Sequence, residues 1–445
     1  MSKILISNVF IVNEGEVSVK DILIKGKRIE KIDNHISEFN VKEIINAEGL
    51  YLFPGMIDDQ VHFRQPGLTH KGTINSESKA ALAGGVTSYI EMPNTIPQTI
   101  TVSEYDKKRL IANKSSAANY SFMFGVTNYN YSEILKLNKD NVPGLKMFLG
   151  SSTGKMLVDD YDIINKIFRN IDLVIAAHCE DEEIINRNLE IAKNKYGSDI
   201  PVFEHPNIRS EKACYTSSSN IVELAKKSGA RLHVFHVSTE KEISLFENEL
   251  SLDKKKITSE ACIHHMWFTD RDYESKGSFI KWNPAIKKES DKNSIIEGIN
   301  NDFIDIIASD HAPHTLNEKN NSYLNCPSGG PLIQHSFMAL MDLFHQKKLS
   351  LEKIVEKACH NPAILFKIKD RGFIREGYFA DLVLVDLNDQ YIVKKNNILY
   401  KCGWSPFEDV CFKSSIKKTM LNGQWVYLNG KIVNTNAAME LEFYK

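Results

Sequence analysis

From about residue 56 to residue 309, short apolar runs alternate with longer segments of helical periodicity. The runs are "MIDDQVHF", "TSYIEMP", "YSFMFGV", "GLKMFL", "LVIAAH", "LHVFHV", "KITSEAC" and "IDIIAS". They are too short for helices, several are rich in Val and Ile, and their apolar continuity predicts strands buried on both faces. Between them, "SESKAALAGG", "DDYDIINKIFRN", "EDEEIINRNLEIAKNKYG" and "SNIVELAKKSG" read as helices. The last two stop at Gly197 and Gly229, and Asp159 or Asp160 offers an N-cap for the second. Eight strands alternating with helices predict an α/β fold, a (β/α)8 barrel over residues 54–369.

The flanks follow a different rhythm. "KILISNVFIV" and "DILIKGKRIEKI" alternate apolar with polar positions, and Asn-Gly pairs at 422–423 and 429–430 predict tight hairpins. Residues 1–53 and 370–445 are therefore expected to join in one small, discontinuous, β-sandwich-like domain interrupted by the barrel. "NEKNNSYLN" reads as a polar loop.

Composition narrows the function classes. The 55 Lys and Arg against 57 Asp and Glu leave no basic excess, so nucleic acid is not the expected partner. "MSKILISNVFIVNEG" lacks the apolar region and cleavage site of a signal peptide and reads as a strand. No apolar run approaches the roughly 20 residues of a membrane span. Seven cysteines without CxxC spacing argue against a disulfide framework or a structural zinc knot, and Cys179 and Cys262 are expected as buried thiols. A cytoplasmic protein is the expectation.

Chemistry enters through where the ionisable residues fall. His62 ends the first run, Lys146 lies in the fourth, His178 ends the fifth, His236 lies near the end of the sixth and Asp310 closes the eighth. In a barrel these positions converge on the C-terminal mouth, where loops build active sites. Imidazole, carboxylate and a modified amine make a ligand set suited to zinc or a similar divalent ion.

The motifs "DDQVHFRQPG", "EMPNT", "GLKMFLGSSTG", "AAHCED", "FHVST", "WNPAIKKESD", "IASDHAPHT" and "GFIREGYFADLVLVD" occur in the order found in cyclic amidohydrolases. With "CGWSPFE" at Cys402–Glu408, the chain resembles dihydroorotases of the long bacterial type almost throughout. That resemblance implies a binuclear zinc centre, reduced to one Zn2+ ion if Gln60 leaves the first site empty. His62 would bind the first ion beside Gln60, which stands where the family usually has histidine. Lys146 would be carbamylated and bridging, and His178 and His236 would bind the second ion. Asp310 would contact the first ion, take the proton of the attacking hydroxide and deliver it to the departing ring nitrogen. The reaction implied is the reversible cyclisation of N-carbamoyl-L-aspartate to dihydroorotate in pyrimidine biosynthesis. Arg64, Asn94 and His314 would clamp the substrate carboxylate, and Asn283 would bond the pyrimidine edge. A homodimer and an association with aspartate transcarbamoylase are further family expectations.

Other candidates are set aside. His264 and His265 read as packed or supporting residues, and His233 as pointing to the face opposite His236. "GSSTG" lacks the GK[ST] of a phosphate loop, and "PSGGP" at 327–331 reads as a loop over the mouth. Gln60 leaves three outcomes open: a weak ligand, substitution by Asp58 or Asp59, or a first site partly empty. The rival functions are a dihydropyrimidinase- or allantoinase-type amidase, and a non-catalytic partner of aspartate transcarbamoylase.

Overall fold

The computed structural model describes residues 3–37, 40–150 and 156–444. All eight apolar runs form parallel strands: Met56–Val61, Val86–Glu91, Asn119–Phe122 continuing as Phe124–Gly125, Gly144–Phe148, Val174–His178, Leu232–Val234, Ile257–Cys262 and Ile306–Ala308. The first three pair in order, the third through eighth pair in order, and a parallel bridge between Val61 and His311 closes the ring. The architecture is the expected (β/α)8 barrel. Its interior is packed by Ile57, Ile90, Met123, Val174, Ala176, Phe235 and Ile306, drawn from six strands, and floored by Leu365 and Phe366. A filled interior leaves the strand ends as the place for a site.

Local signals set the helices. Asp160 caps Tyr161–Asn170, its carboxylate accepting from the backbone N–H groups of Asp162 and Ile163. Such a cap contributes about 1 kcal/mol. Gly197 and Gly229 end Glu182–Tyr196 and Glu211–Ser228 in positive-φ conformations, as the sequence predicts. The "GSSTG" segment falls, after Gly150, outside the described residues.

Strands from both termini hydrogen-bond into one nine-stranded sheet, joined where Tyr51–Pro54 runs antiparallel to Leu382–Asp386. Both Asn-Gly pairs form the anticipated hairpins, with φ of 49° and 74° at 422–423 and 43° and 89° at 429–430. Gly55 lets the chain pass from this sheet into the barrel, since a Cβ there would stand 2.1 Å from the Thr87 hydroxyl. A buried polar network ties the two parts together. Asn119 of the third barrel strand donates to Asp381 (3.1 Å) and accepts from Asn422 (2.8 Å), while Arg371 bonds Asp381 and Asn422. Near the C-terminus, Tyr120 N–H donates to the Met439 carbonyl (3.1 Å) and Leu441 N–H to the Tyr120 carbonyl (2.9 Å), stapling this segment to the same barrel strand.

One expectation, that for His233, needs correction. The polar "NEKNNSYLN" segment leaves the helical turn Leu316–Lys319 as a loop and is held in place by buried lysines. Lys319 Nζ donates to the carbonyls of Pro327 (3.0 Å) and Gly329 (2.8 Å), and Lys281 Nζ to that of Tyr323 (2.7 Å). Burial pushes these amines down to about 7 and about 8. His233 does not face away from the barrel lumen. Its ring meets Asp59 of the first strand, a contact that must cross the interior. Strict alternation fails because His236, beyond the strand end, has φ of 40° and turns back toward the lumen.

Candidate active site

A 390 Å³ cavity opens at the C-terminal ends of the barrel strands, and all ten predicted site residues line it: Gln60, His62, Arg64, Asn94, Lys146, His178, His236, Asn283, Asp310 and His314. Three of them, Arg64 (φ 70°), His236 (40°) and Asp310 (47°), hold left-handed backbone conformations just past their strands. Such conformations cost about 1–3 kcal/mol each and gather at functional sites. Here they turn consecutive side chains into one space.

On one side, His178 Nδ1 lies 2.9 Å from His236 Nε2. His178 Nε2 donates to Glu180 (3.0 Å), which is held in turn by Arg209, so the His178 Nδ1 lone pair points at His236. This carboxylate–histidine pairing fixes a ring for metal ligation. Arg209 and the hydrogen bond from His178 hold Glu180 down to about 2 against its burial.

On the other side, His62 Nδ1 donates to Asn94 Oδ1 (2.7 Å), leaving the Nε2 lone pair 3.3 Å from Asp310 Oδ1. Burial holds His62 below the ordinary imidazole range, so acceptor faces acceptor, an arrangement that a cation relieves. Between the two sides Lys146 is 1 % exposed, its Nζ has no hydrogen-bond partner, and it sits 4.0 Å from the Phe235 ring centroid. Burial lowers it to about 7, so that a large fraction of the amine is neutral near pH 7 and able to react as a nucleophile. The orphaned Lys146 amine, the convergent imidazoles and the acceptor pair fit a metal centre.

Gln60 lines the cavity, its Oε1 accepting a weak bond from Cys262 Sγ (3.6 Å). Neither acidic neighbour takes its place on the cavity wall. Asp58 Oδ1 accepts from the backbone of Ser309 (3.2 Å) and Gln60 (3.3 Å), and burial pushes it up to about 7. Asp59 turns inward to His233.

The outer wall is cationic. The Arg64 guanidinium donates to the neutral Pro313 carbonyl (3.1 Å) and lies 3.0 Å from His314 Nε2, whose own N–H donates to the Ser328 carbonyl (3.0 Å). Burial lowers Arg64 to about 10, which leaves it charged at neutral pH. Lys71 reaches His314 Nδ1 (3.0 Å) and pairs with Glu318 (2.8 Å). Pro327, Ser328 and Gly329 of "PSGGP" line the mouth. Gly329 has φ of 121°, and a Cβ there would stand 2.6 Å from the Ala312 carbonyl oxygen. His264 packs flat on Trp282 (4.6 Å, 16°) and His265 Nε2 bonds the Pro284 carbonyl (3.1 Å), as packed residues.

Sequence reasoning missed Glu180, Arg209 and Lys71. Glu180 was within reach, standing two residues after His178 in "AAHCED". Arg209 and Lys71 lie in connecting segments that carry no pattern.

Residues 51–426 match the amidohydrolase family. The dihydroorotase of Carboxydothermus hydrogenoformans is 32% identical, covering 90% of this chain and 92% of its own. The allantoinase of Desulfitobacterium hafniense strain DCB-2 is 30% identical, covering 97% and 96%. Among solved structures, the L-hydantoinase (dihydropyrimidinase) of Arthrobacter aurescens superposes with a TM-score of 0.93 at 24% identity, over 99% of this chain and 100% of that one.

Proposed function

The chain belongs to the amidohydrolase family, and from that premise we propose that it is a zinc-dependent dihydroorotase, interconverting N-carbamoyl-L-aspartate and L-dihydroorotate in the cytoplasm. One observation carries this choice among cyclic amides: the buried Arg64, bonded to the neutral Pro313 carbonyl and flanked by His314 and Lys71, offers its charge to a carboxylate on the substrate. Dihydroorotate has that ring carboxylate, whereas dihydrouracil, hydantoin and allantoin lack it.

His62, Lys146 as its carbamate, His178, His236 and Asp310 would hold one or two zinc ions, with Gln60 a weak ligand at most. Bound zinc supplies Lewis acidity, polarising the amide carbonyl and lowering the pKa of water toward neutrality. The chain's own groups do the rest. Arg64 and His314 grip the carboxylate, and Asn283 bonds the pyrimidine edge. Asn94 braces His62 and presents its amide to the same space. Asp310 takes the proton of the attacking water and passes it to the ring nitrogen as the amide opens, and does the reverse on cyclisation. A homodimer, and contact with aspartate transcarbamoylase as the source of the carbamoylated acid, complete the reading.

The test is parallel kinetics on N-carbamoyl-L-aspartate, dihydroorotate, dihydrouracil, hydantoin and allantoin. The largest kcat/KM is expected for the dihydroorotate pair. Faster turnover of an uncharged ring would replace this reading with a general cyclic amidase, which the commitment of Asn94 Oδ1 to His62 favours. Gln60 favours the non-catalytic partner, and absence of turnover on all five would support it.

A further inference from the structure

Below the cavity, three buried side chains stand outside the machinery just assigned. Asp59, His233 and Glu260, each 0 % exposed, come from the first, sixth and seventh strands and meet inside the barrel. His233 Nε2 is 3.5 Å from Asp59 Oδ2 and 3.9 Å from Glu260 Oε2, and one ligand atom from each residue lies within 4.8 Å of the others. Both Asp59 oxygens, Glu260 Oε2 and His233 Nε2 have no hydrogen-bond partner. The opposite ends are fastened. His233 Nδ1 is bonded to Thr258 Oγ1 (2.8 Å), and Glu260 Oε1 accepts from His236 N–H (3.1 Å) and Cys262 Sγ (3.2 Å). Three orphaned atoms, one from each residue, thus lie together, with His233 and Glu260 held from behind.

An unpaired buried polar atom costs about 1–3 kcal/mol, and more when charged. One proton cannot settle this account. Imidazole Nε2 can present a single N–H, against three carboxylate oxygens. A divalent cation satisfies one atom from each of the three residues together. Ligand atoms about 2.1 Å from zinc stand about 3.4 Å apart across a tetrahedral angle, close to the 3.5 Å and 3.9 Å observed. One imidazole with two carboxylates suits a first-row transition ion better than Mg2+ or Ca2+.

We propose that Asp59, His233 and Glu260 form an inner metal site that takes a divalent first-row transition ion such as zinc, one layer beneath the cavity. The pairing of the first two barrel strands shifts register between Asp58 and Val61, which lets neighbouring residues both turn inward: Gln60 to the cavity, Asp59 to the cluster. The chain lacks an imidazole at one depth and gains a carboxylate at the next. The inner site goes beyond the cyclisation reading and does not depend on it.

The experiment uses the full chain, stripped with chelator and titrated with Zn2+ alone. It reads metal per chain by mass spectrometry and location by anomalous diffraction at the zinc edge. An anomalous peak among Asp59, His233 and Glu260 is expected. Asp59→Leu, which keeps the shape without the charge, and His233→Gln should each lose one ion per chain, while His178→Asn keeps the inner peak. Zinc-loaded wild-type crystals with a mouth peak and no inner peak would overturn the proposal, whatever the variants do. So would folded Asp59→Leu and His233→Gln proteins that keep the full zinc complement. An inner peak without turnover on any cyclic amide would sustain the inner site and remove only the cyclisation reading.

Discussion

On one side of the mouth, His178 is braced by Glu180, Glu180 by Arg209, and His236 closes on His178 at 2.9 Å. On the other, His62 faces Asp310 with only Asn94 behind it, and a glutamine stands where an imidazole would complete the set. The first side has its orientation fixed by a charged chain reaching to the rim, so its geometry is set before any ion arrives. The second has one neutral brace and rests on Asp310, to which the proposed reaction also gives a proton to move. On that proposed reading, ligation and chemistry are separate duties on one side and shared on the other.

Breaking the shared side should cost most. Asp310→Asn is expected to lower kcat by about 10²–10⁴, the usual worth of a positioned acid–base group. KM should stay nearly constant, and steady-state kinetics near the wild-type rate would remove Asp310 from proton transfer. Arg64→Ala should lower kcat/KM for dihydroorotate by about 10–150-fold, from about 1.5–3 kcal/mol for hydrogen bonds to a charged group. Any dihydrouracil activity should be spared, and equal losses on both substrates would refute a carboxylate grip. Glu180→Gln, which weakens the braced side, should loosen zinc by about 10–100-fold in chelator competition. An unchanged affinity would show that the brace is not used. Gln60→His should sharpen the comparison from the other direction, raising zinc occupancy at the mouth and the rate by up to about tenfold. A neutral or harmful outcome would mean that the glutamine side no longer ligates.

The eight strands were legible because buried parallel strands write themselves as unbroken apolar runs, and every run from "MIDDQVHF" to "IDIIAS" became one. The gathering of His62, His178, His236 and Asp310 followed from their places at or near run ends, and that of Lys146 from its place within the fourth run. What stayed hidden depended on backbone detail that composition does not encode. The register shift at Asp58–Val61 lets Gln60 reach the cavity beside the inward-facing Asp59, and the positive φ of His236 undoes the alternation from which His233 was assigned to the opposite face. Lys319, read within a polar segment, is buried with its amine on the Pro327 and Gly329 carbonyls of the mouth loop, and Lys281 with its amine on the Tyr323 carbonyl. No residue-by-residue polarity scale anticipates that.

The staple from Met439–Leu441 onto Tyr120, together with the union of Tyr51–Pro54 and Leu382–Asp386, has a bearing on biogenesis. As the polypeptide emerges from the ribosome, its leading strands wait with an open edge until the whole barrel has been translated. Non-local closure of this kind is slow and leaves sticky intermediates. Ribosome-stalled chains ending before residue 380 should therefore engage chaperones far more than the released protein does.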